Sequence, residues 1–480
     1  MATTNALRPT LDLKVPELLA PTPVASTAGA HVARGRMHSS YEPASPGELP
    51  MLIISSASVH YLYCTPDDAY IQIAASGIAG TFGAGACSVF HPFGSSGTAT
   101  AGGATTITTN LTIPRRLDGY KIRITGGTGA GQEKTIASNT MGANAVITVD
   151  SAWSTDPDAT STYVLLVGSF FFWNPGTAST FGFRRFTLDT MAWSGVLNAA
   201  PSGMTTFGTD GRLVTTASAI AGTLVSGTAT SATSTTLTVG GKSWTTNQWT
   251  NSQVRITGGL GVGQVRTISS NTGTVLTVSA AWTTTPDGTS TYVIEGNDDH
   301  VYLLGNAAVT LYRYSISGNA WTVLSPGVAR AGAPGAGMSA DLIKPQDPLW
   351  RDENNWRAGR FIYSLRGGGS AVLDAYDIAL NTWAAVTYAP STETFTTGSS
   401  CAYDSDERLY VQKDATNRWF VIDVVRNCAH GWMTVPLTQG AALAGDRAWI
   451  DTYVDGATTL QWVYQWMNTS STAYRTLVIA

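Results

Sequence analysis

Short runs in which apolar and polar residues alternate recur along this chain, and each ends in a cluster of Gly, Asn, Asp, Ser or Thr. "LLVGSFFFW", "HVYLLG", "RFIYSLRGGG" and "ERLYVQKD" read as largely buried strands. Each leads into a longer stretch of one plan: "FRRFTLDTMAWSGV" (183–196), "LYRYSISGNAWTVL" (311–324), "LDAYDIALNTWAAV" (373–386) and "FVIDVVRNCAHGWMTV" (420–435). In each, an alternating strand meets a polar turn, and a Trp then opens another short strand. A period of two sends successive side chains to opposite faces of a sheet. The pattern therefore predicts an all-β chain of short antiparallel hairpins.

A second repetition is closer. "RITGGTGAGQEKTIASNT" (123–140) returns as "RITGGLGVGQVRTISSNT" (255–272), and "ITVDSAWSTDPDATSTYVL" from Ile147 is matched by "LTVSAAWTTTPDGTSTYVI" from Leu276. Upstream, "SGTAT" at Ser96 recurs at Ser226. Two homologous β-modules follow, at 95–166 and 225–295. Their glycine-rich stretch invites a phosphate-loop reading. Such a loop needs Lys directly after the last glycine and a helix behind it. Here Gln132 and Glu133 stand between Gly131 and Lys134, the second copy has Arg266, and β-branched alternation follows. No nucleotide is expected. The glycines Gly126, Gly127, Gly129, Gly131, Gly258, Gly259, Gly261 and Gly263 are read as turn residues with positive φ in a hairpin. Trp153 and Trp282 are the expected core anchors.

The strand–turn–Trp plan resembles the Kelch repeat of β-propellers, closest at Tyr376, Asp377, Asn381, Thr382 and Trp383. The double glycine of that family survives only at Gly367–Gly369. The resemblance implies a propeller of about six blades, with Trp193, Trp321, Trp383 and Trp432 packing between blades. The organisation expected is an N-terminal arm (1–48), propeller parts at 49–94, 167–224 and 296–480, and the two modules between them. Both modules interrupt a blade at one point, so both should emerge on one face. The last strand, "AYRTLVIA", is expected to close the ring on the first blade.

Charge and composition narrow the picture. Charged residues make up 12% of 480, with 50 Gly, 15 Trp and a net charge of −4, which gives no footprint for nucleic acid. Cys64, Cys87, Cys401 and Cys428 show neither a disulfide framework nor CxxC spacing. No signal peptide and no spanning apolar run are read. Residues 1–48 are rich in Pro, Ala, Thr and Ser and cannot build a core. They are expected to dock on a neighbouring chain, with Leu11, Leu13, Val15, Leu18 and Leu19 as anchors and the first half of "LDLKVPELL" adding as a strand to its sheet edge before Pro16 stops the pairing.

Candidate chemistry is sparse. His60 and Cys64, and Cys87 and His91, are four residues apart, which on a strand is roughly 13 Å and too far for one metal. A site taking one ligand from each strand is the alternative, with buried inert side chains the plainer reading. Asp67–Asp68, Asp298–Asp299 and Asp404–Glu407 could act as paired carboxylates on a glycan, or as turn residues. No catalytic, cofactor or metal residue is assigned. The tandem "GGxGxGQ" module resembles β-modules embedded in structural proteins of tailed bacteriophages. That resemblance implies a non-enzymatic virion component of tail, neck or nozzle, assembled with copies of itself and other virion proteins. The alternative is a propeller that binds or cleaves host-surface glycan.

Overall fold

A computed structural model describes residues 12–13, 17–18, 31–38, 48–56, 59–64, 69–73, 87–174, 182–198, 212–216, 225–304, 310–330, 338–340, 360–367, 369–386, 394–395, 399–403, 408–413, 418–424, 428–434, 447–455, 458–466 and 473–479. Every regular element among them but a lone 3₁₀ residue is β, and all pairings are antiparallel. No helix of the described residues is long and apolar enough to cross a membrane. The architecture is propeller-like.

Five four-stranded sheets follow one another along the chain. Sheet 1 holds His31–His38, Glu48–Ser56, Val59–Cys64 and Ala69–Ile73. Sheet 2 holds Cys87–His91, Ser169–Asn174, Gly182–Thr187 and Ala192–Trp193. Sheet 3 holds Arg212–Thr215, His300–Leu304, Leu311–Ser315 and Ala320–Val323. Sheet 4 runs from Met338–Ala340 to Thr382–Val386, and sheet 5 from Ser400–Tyr403 to Cys428–Thr434. Sheet 6 is built from Arg447–Asp455, Thr458–Trp466 and Ala473–Ile479. The first strands of sheets 1 to 6 touch in succession, and the first strand of sheet 6 touches that of sheet 1.

The N-terminal segment departs from expectation. Asp12–Leu13 and Glu17–Leu18 pair with Ala473–Ile479 of the same chain, in registers Leu13↔Val478 and Leu18↔Tyr474. Strand addition thus happens in cis, on the chain's own last strand, and a neighbour's edge is not needed to explain it. Leu11, Val15 and Leu19 lie outside the described residues. His31–His38, expected within the arm, is the first strand of sheet 1 and pairs along its whole length with Glu48–Ser56. The last strand accordingly pairs with Asp12–Leu13 and Glu17–Leu18 rather than with the strands of sheet 1.

The turn after the third strand carries a repeated device. In sheets 3 and 4 the Tyr314 and Tyr376 hydroxyls donate to Asn319 and Asn381 Oδ1, each at 2.7 Å. Each Asn sits at left-handed φ (44° and 52°), which short polar side chains tolerate best after glycine. Two residues on, Trp321 and Trp383 pack on those tyrosines at 5.1 and 5.2 Å. Sheet 2 has Phe186 in place of the Tyr and Met191 in place of the Asn, still at φ 49°. Hydroxyl and acceptor are absent together, which marks them as a pair. Tyr376→Phe should cost about 1 kcal/mol and Asn381→Met about 2–3 kcal/mol, while the double variant should fall short of their sum by about 1 kcal/mol. Denaturant unfolding of the four proteins measures this, and strict additivity would refute the coupling.

Each module is a seven-strand sheet; the second has a core of its own, while that of the first runs on into Leu62 and Ile73 of sheet 1 and Phe170, Phe172 and Phe186 of sheet 2. In the first the order is Ser96–Thr98, Thr162–Leu166, Lys121–Gly126, Glu133–Asn139, Val146–Val149, Thr106–Thr108 and Ala101–Gly103. The two edge strands are consecutive in sequence, and Ala99 N–H reaches Ser161 O while Thr100 N–H reaches Thr108 O. One bent stretch therefore joins both ends of the sheet, which closes on itself and leaves little free edge. The second module repeats the order from Ser226–Thr228 to Ser231–Thr233. It also repeats the register, with Arg123↔Val164 matched by Arg255↔Val293. Trp153 and Trp282 are buried in the two cores. The longer turn of the first copy lies between Asn139 and Val146.

Candidate interaction site at the paired modules

The glycine-rich segments form tight loops between the third and fourth strands in the order of each module sheet. Lys121–Gly126 pairs with Glu133–Asn139, and Gln253–Gly258 with Val265–Asn271. Six of the eight glycines have positive φ: 72°, 77° and 90° at Gly127, Gly129 and Gly131, and 74°, 79° and 87° at Gly259, Gly261 and Gly263. Gly126 and Gly258 do not. They end their strands just past a bulge after Ile124 and Ile256, so the expected turn role does not hold for them.

A glutamine clamps each loop. Gln132 Nε2 donates to the carbonyls of Gly129 (3.0 Å) and Thr155 (2.8 Å), and its Oε1 accepts the Ser154 N–H at 2.6 Å. Gln264 repeats this with Gly261 (3.0 Å), Thr284 (2.8 Å) and Thr283 N–H (2.7 Å). The loop is thus preorganised by its own module. No phosphate cradle results, since Lys134 Nζ is turned to Ser151 Oγ at 3.0 Å and Arg266 lies over the Trp282 ring.

The loops meet each other. A Cβ placed on Gly131 would stand 2.4 Å from Val262 Cγ2 and 2.8 Å from Gly263 N. One placed on Gly263 would stand 2.4 Å from Gly131 N and 2.8 Å from Gly131 Cα. The third glycine of each copy lets the two backbones approach. Beside this contact lies an open cleft of about 390 Å³, lined by residues that include Gln132, Glu133, Lys134, Thr155, Thr257 and Val262.

The stems of the modules are fixed as firmly. The first module enters between the first two strands of sheet 2, the second between those of sheet 3. Arg185 Nη2 donates to the carbonyls of Phe93 (2.7 Å) and Gly94 (2.8 Å), and Asp189 accepts Ser95 Oγ at 2.8 Å. His91 Nε2 donates to the Asp298 carbonyl at 2.7 Å, tying the entry of one module to the exit of the other. Burial lowers the His91 pKa to about 3, so this ring is neutral. Burial pushes the Asp298 carboxyl up to about 6, helped by the nearby Glu295 charge and opposed by Gln253 and Arg123. Burial also works to raise Glu133, but Arg123 (2.9 Å) and Lys121 (3.2 Å) outweigh it and hold it below the usual range. The second module also bonds to sheet 4, where Asn251 Nδ2 donates to Ile378 O at 3.0 Å.

The remaining candidates that are described fall into structural roles. Asp299 caps the turn of sheet 3, accepting Ser315 Oγ and Ser317 N–H at 2.6 Å each. Asp67–Asp68 and Asp404–Glu407 lie outside the described residues. His60 is buried against Phe172 and Trp193 of sheet 2. Among the described residues no three His, Cys, Asp or Glu side chains form a set suited to a metal ion. Trp321 packs on Trp173 and Phe183 of the preceding sheet at 5.8 and 5.0 Å, and Trp383 joins a cluster with Val214 and Tyr302 of sheet 3. Trp432 lies in Cys428–Thr434, with its side chain outside the described residues. Gln132 and Gln264 were not among the expected site residues, although the glutamine after the last glycine stands in both copies.

A scan against protein-family models and a search of curated proteins give no match. Among solved structures, glutaminyl cyclase from Myxococcus xanthus is similar at a TM-score of 0.25 and 11% identity, over 39% of this chain and 77% of that one. A structural-genomics protein of unknown function from Bacteroides thetaiotaomicron is similar at 0.31 and 7%, over the whole of both chains. Likeness at this level carries no functional argument.

Proposed function

We propose that this chain is a non-enzymatic structural component of a tailed-bacteriophage particle, placed in its tail, neck or nozzle. In this reading the six sheets are the blades of a closed, Kelch-like propeller. The module pair is presented to a neighbouring virion protein, to another copy of the chain or to the host surface. The observation that carries it is the fusion of two repeated modules into one body, clamped at loops and stems on adjacent sheets. So much fixed geometry around a polar surface suits a part that bears contacts rather than one that opens for a substrate. The N-terminal segment no longer supports the reading, because its described strands pair within the chain. The glycan-binding or glycan-cleaving reading has no specific observation in its favour among the side chains described. Immunogold labelling of purified particles with antibody to this chain tests the proposal. Label at the tail or neck is expected. A chain abundant in the lysate and missing from purified particles would overturn it.

A further inference from the structure

We propose that the glycine-rich loop is a homotypic docking element, whose partner is the same loop of another module. In this chain the two copies occupy each other. The contact is reciprocal, Gly131 against Gly263 and Gly263 against Gly131, as an interface between like surfaces must be. The loops are also alike in backbone and in their glutamine clamps, so neither has to change shape to bind. The glycines divide the work. Extra atoms on Gly127 and Gly129 would strike their own module, at Thr160 O (2.1 Å) and at Gln132 Nε2 (2.7 Å). On Gly131 and Gly263 they would strike the other module. The third glycine is thus what the partner requires.

The two copies differ in a way that names the second partner. Where the second loop places Val262 on Gly131, the first loop carries the smaller Ala130. Glu133, ion-paired to Arg123 of its own module at 2.9 Å, also acts on Arg255 across the pair, whereas the matching residue of the second module is the uncharged Val265. A first module meeting another first module would set Arg123 opposite Glu133 on both sides. Once released from the second module, this face of the first module therefore fits the first module of a second copy of this chain. Pairing within the chain keeps that face covered.

The inference does not depend on where the chain resides, and the full-length protein tests it. Val262→Asp sets a carboxylate against Gly131, and Gly263→Val adds bulk at the same contact. In both variants hydrogen exchange at residues 128–134, in the untouched module, should quicken roughly threefold or more. Sedimentation should show twice the wild-type mass at high protein concentration, and Gly131→Val in the same chain should restore it. Unchanged exchange at 128–134 in both variants would overturn the mutual docking. Quickened exchange with wild-type mass would overturn the homotypic partner.

Discussion

Gly127→Ala is expected to lower the stability of the first module by about 3–5 kcal/mol, whereas Gly142→Ala should lower it by only about 1 kcal/mol. Both glycines have positive φ, 72° and 108°, so both substitutions strain the backbone. They differ in what the new methyl meets. At Gly142 nothing lies within 4 Å, while at Gly127 Thr160 O is 2.1 Å away and Thr160 C 2.6 Å. These are backbone atoms on the stretch leading into Thr162–Leu166, and no rotamer change can withdraw them. Hydrogen exchange at Ile122 and Ile124, both in the module core, reads the loss directly. Equal effects at the two positions would show that conformational strain alone sets the demand for glycine.

The second large effect is expected at Asp374. Its carboxylate takes Arg330 Nε at 2.9 Å and Arg366 Nε at 3.1 Å. Arg330 is wholly buried, lies over the Trp383 ring, and also donates to Ser364 Oγ and Leu365 O at 2.9 Å each. Burial works against the Arg330 charge, and Asp374 offsets it only in part. Asp374→Asn should leave that guanidinium uncompensated and cost about 3–5 kcal/mol. Replacing both partners, as Arg330→Met with Asp374→Leu, should recover most of the loss, because no buried charge then remains. Arg366 is partly exposed and can turn to water. Urea unfolding of the three proteins decides the matter. A double variant as unstable as Asp374→Asn would mean that shape, not charge, makes this site costly to change.

What could be read before folding was local or repeated. The modules stood out because one sequence occurs twice, and Trp193, Trp321 and Trp383 because they share a spacing from the preceding aromatic residue. Alternation in the first half of "LDLKVPELL" marked strand character at Leu13, but pairing resumes after Pro16 at Glu17–Leu18, and a strand's own residues do not say whose edge it joins. His31–His38 went unseen because Arg34, Gly35 and Arg36 break the apolar pattern, and Glu48–Ser56 supplies the order instead. The glycine loops showed the same limit. Positive φ at Gly127 and Gly129 is a property of the turn, but the contact of Gly131 with Gly263 joins residues 132 positions apart. Nothing in either loop alone announces it.

The pairing of Asp12 with Ile479 has a kinetic consequence. It joins segments separated by nearly the whole chain, and closing a loop of that length costs on the order of 5 kcal/mol in chain entropy. During synthesis the N-terminal strands emerge first and wait unpaired until Ala473–Ile479 leaves the ribosome. Sheets 1 to 5 and both modules can form in that interval, but Asp12–Leu13 and Glu17–Leu18 cannot pair before the last strand is made. Pairing of the two ends is therefore expected to be the slow, late step of folding, and the interval before it is when the unpaired edges are open to aggregation.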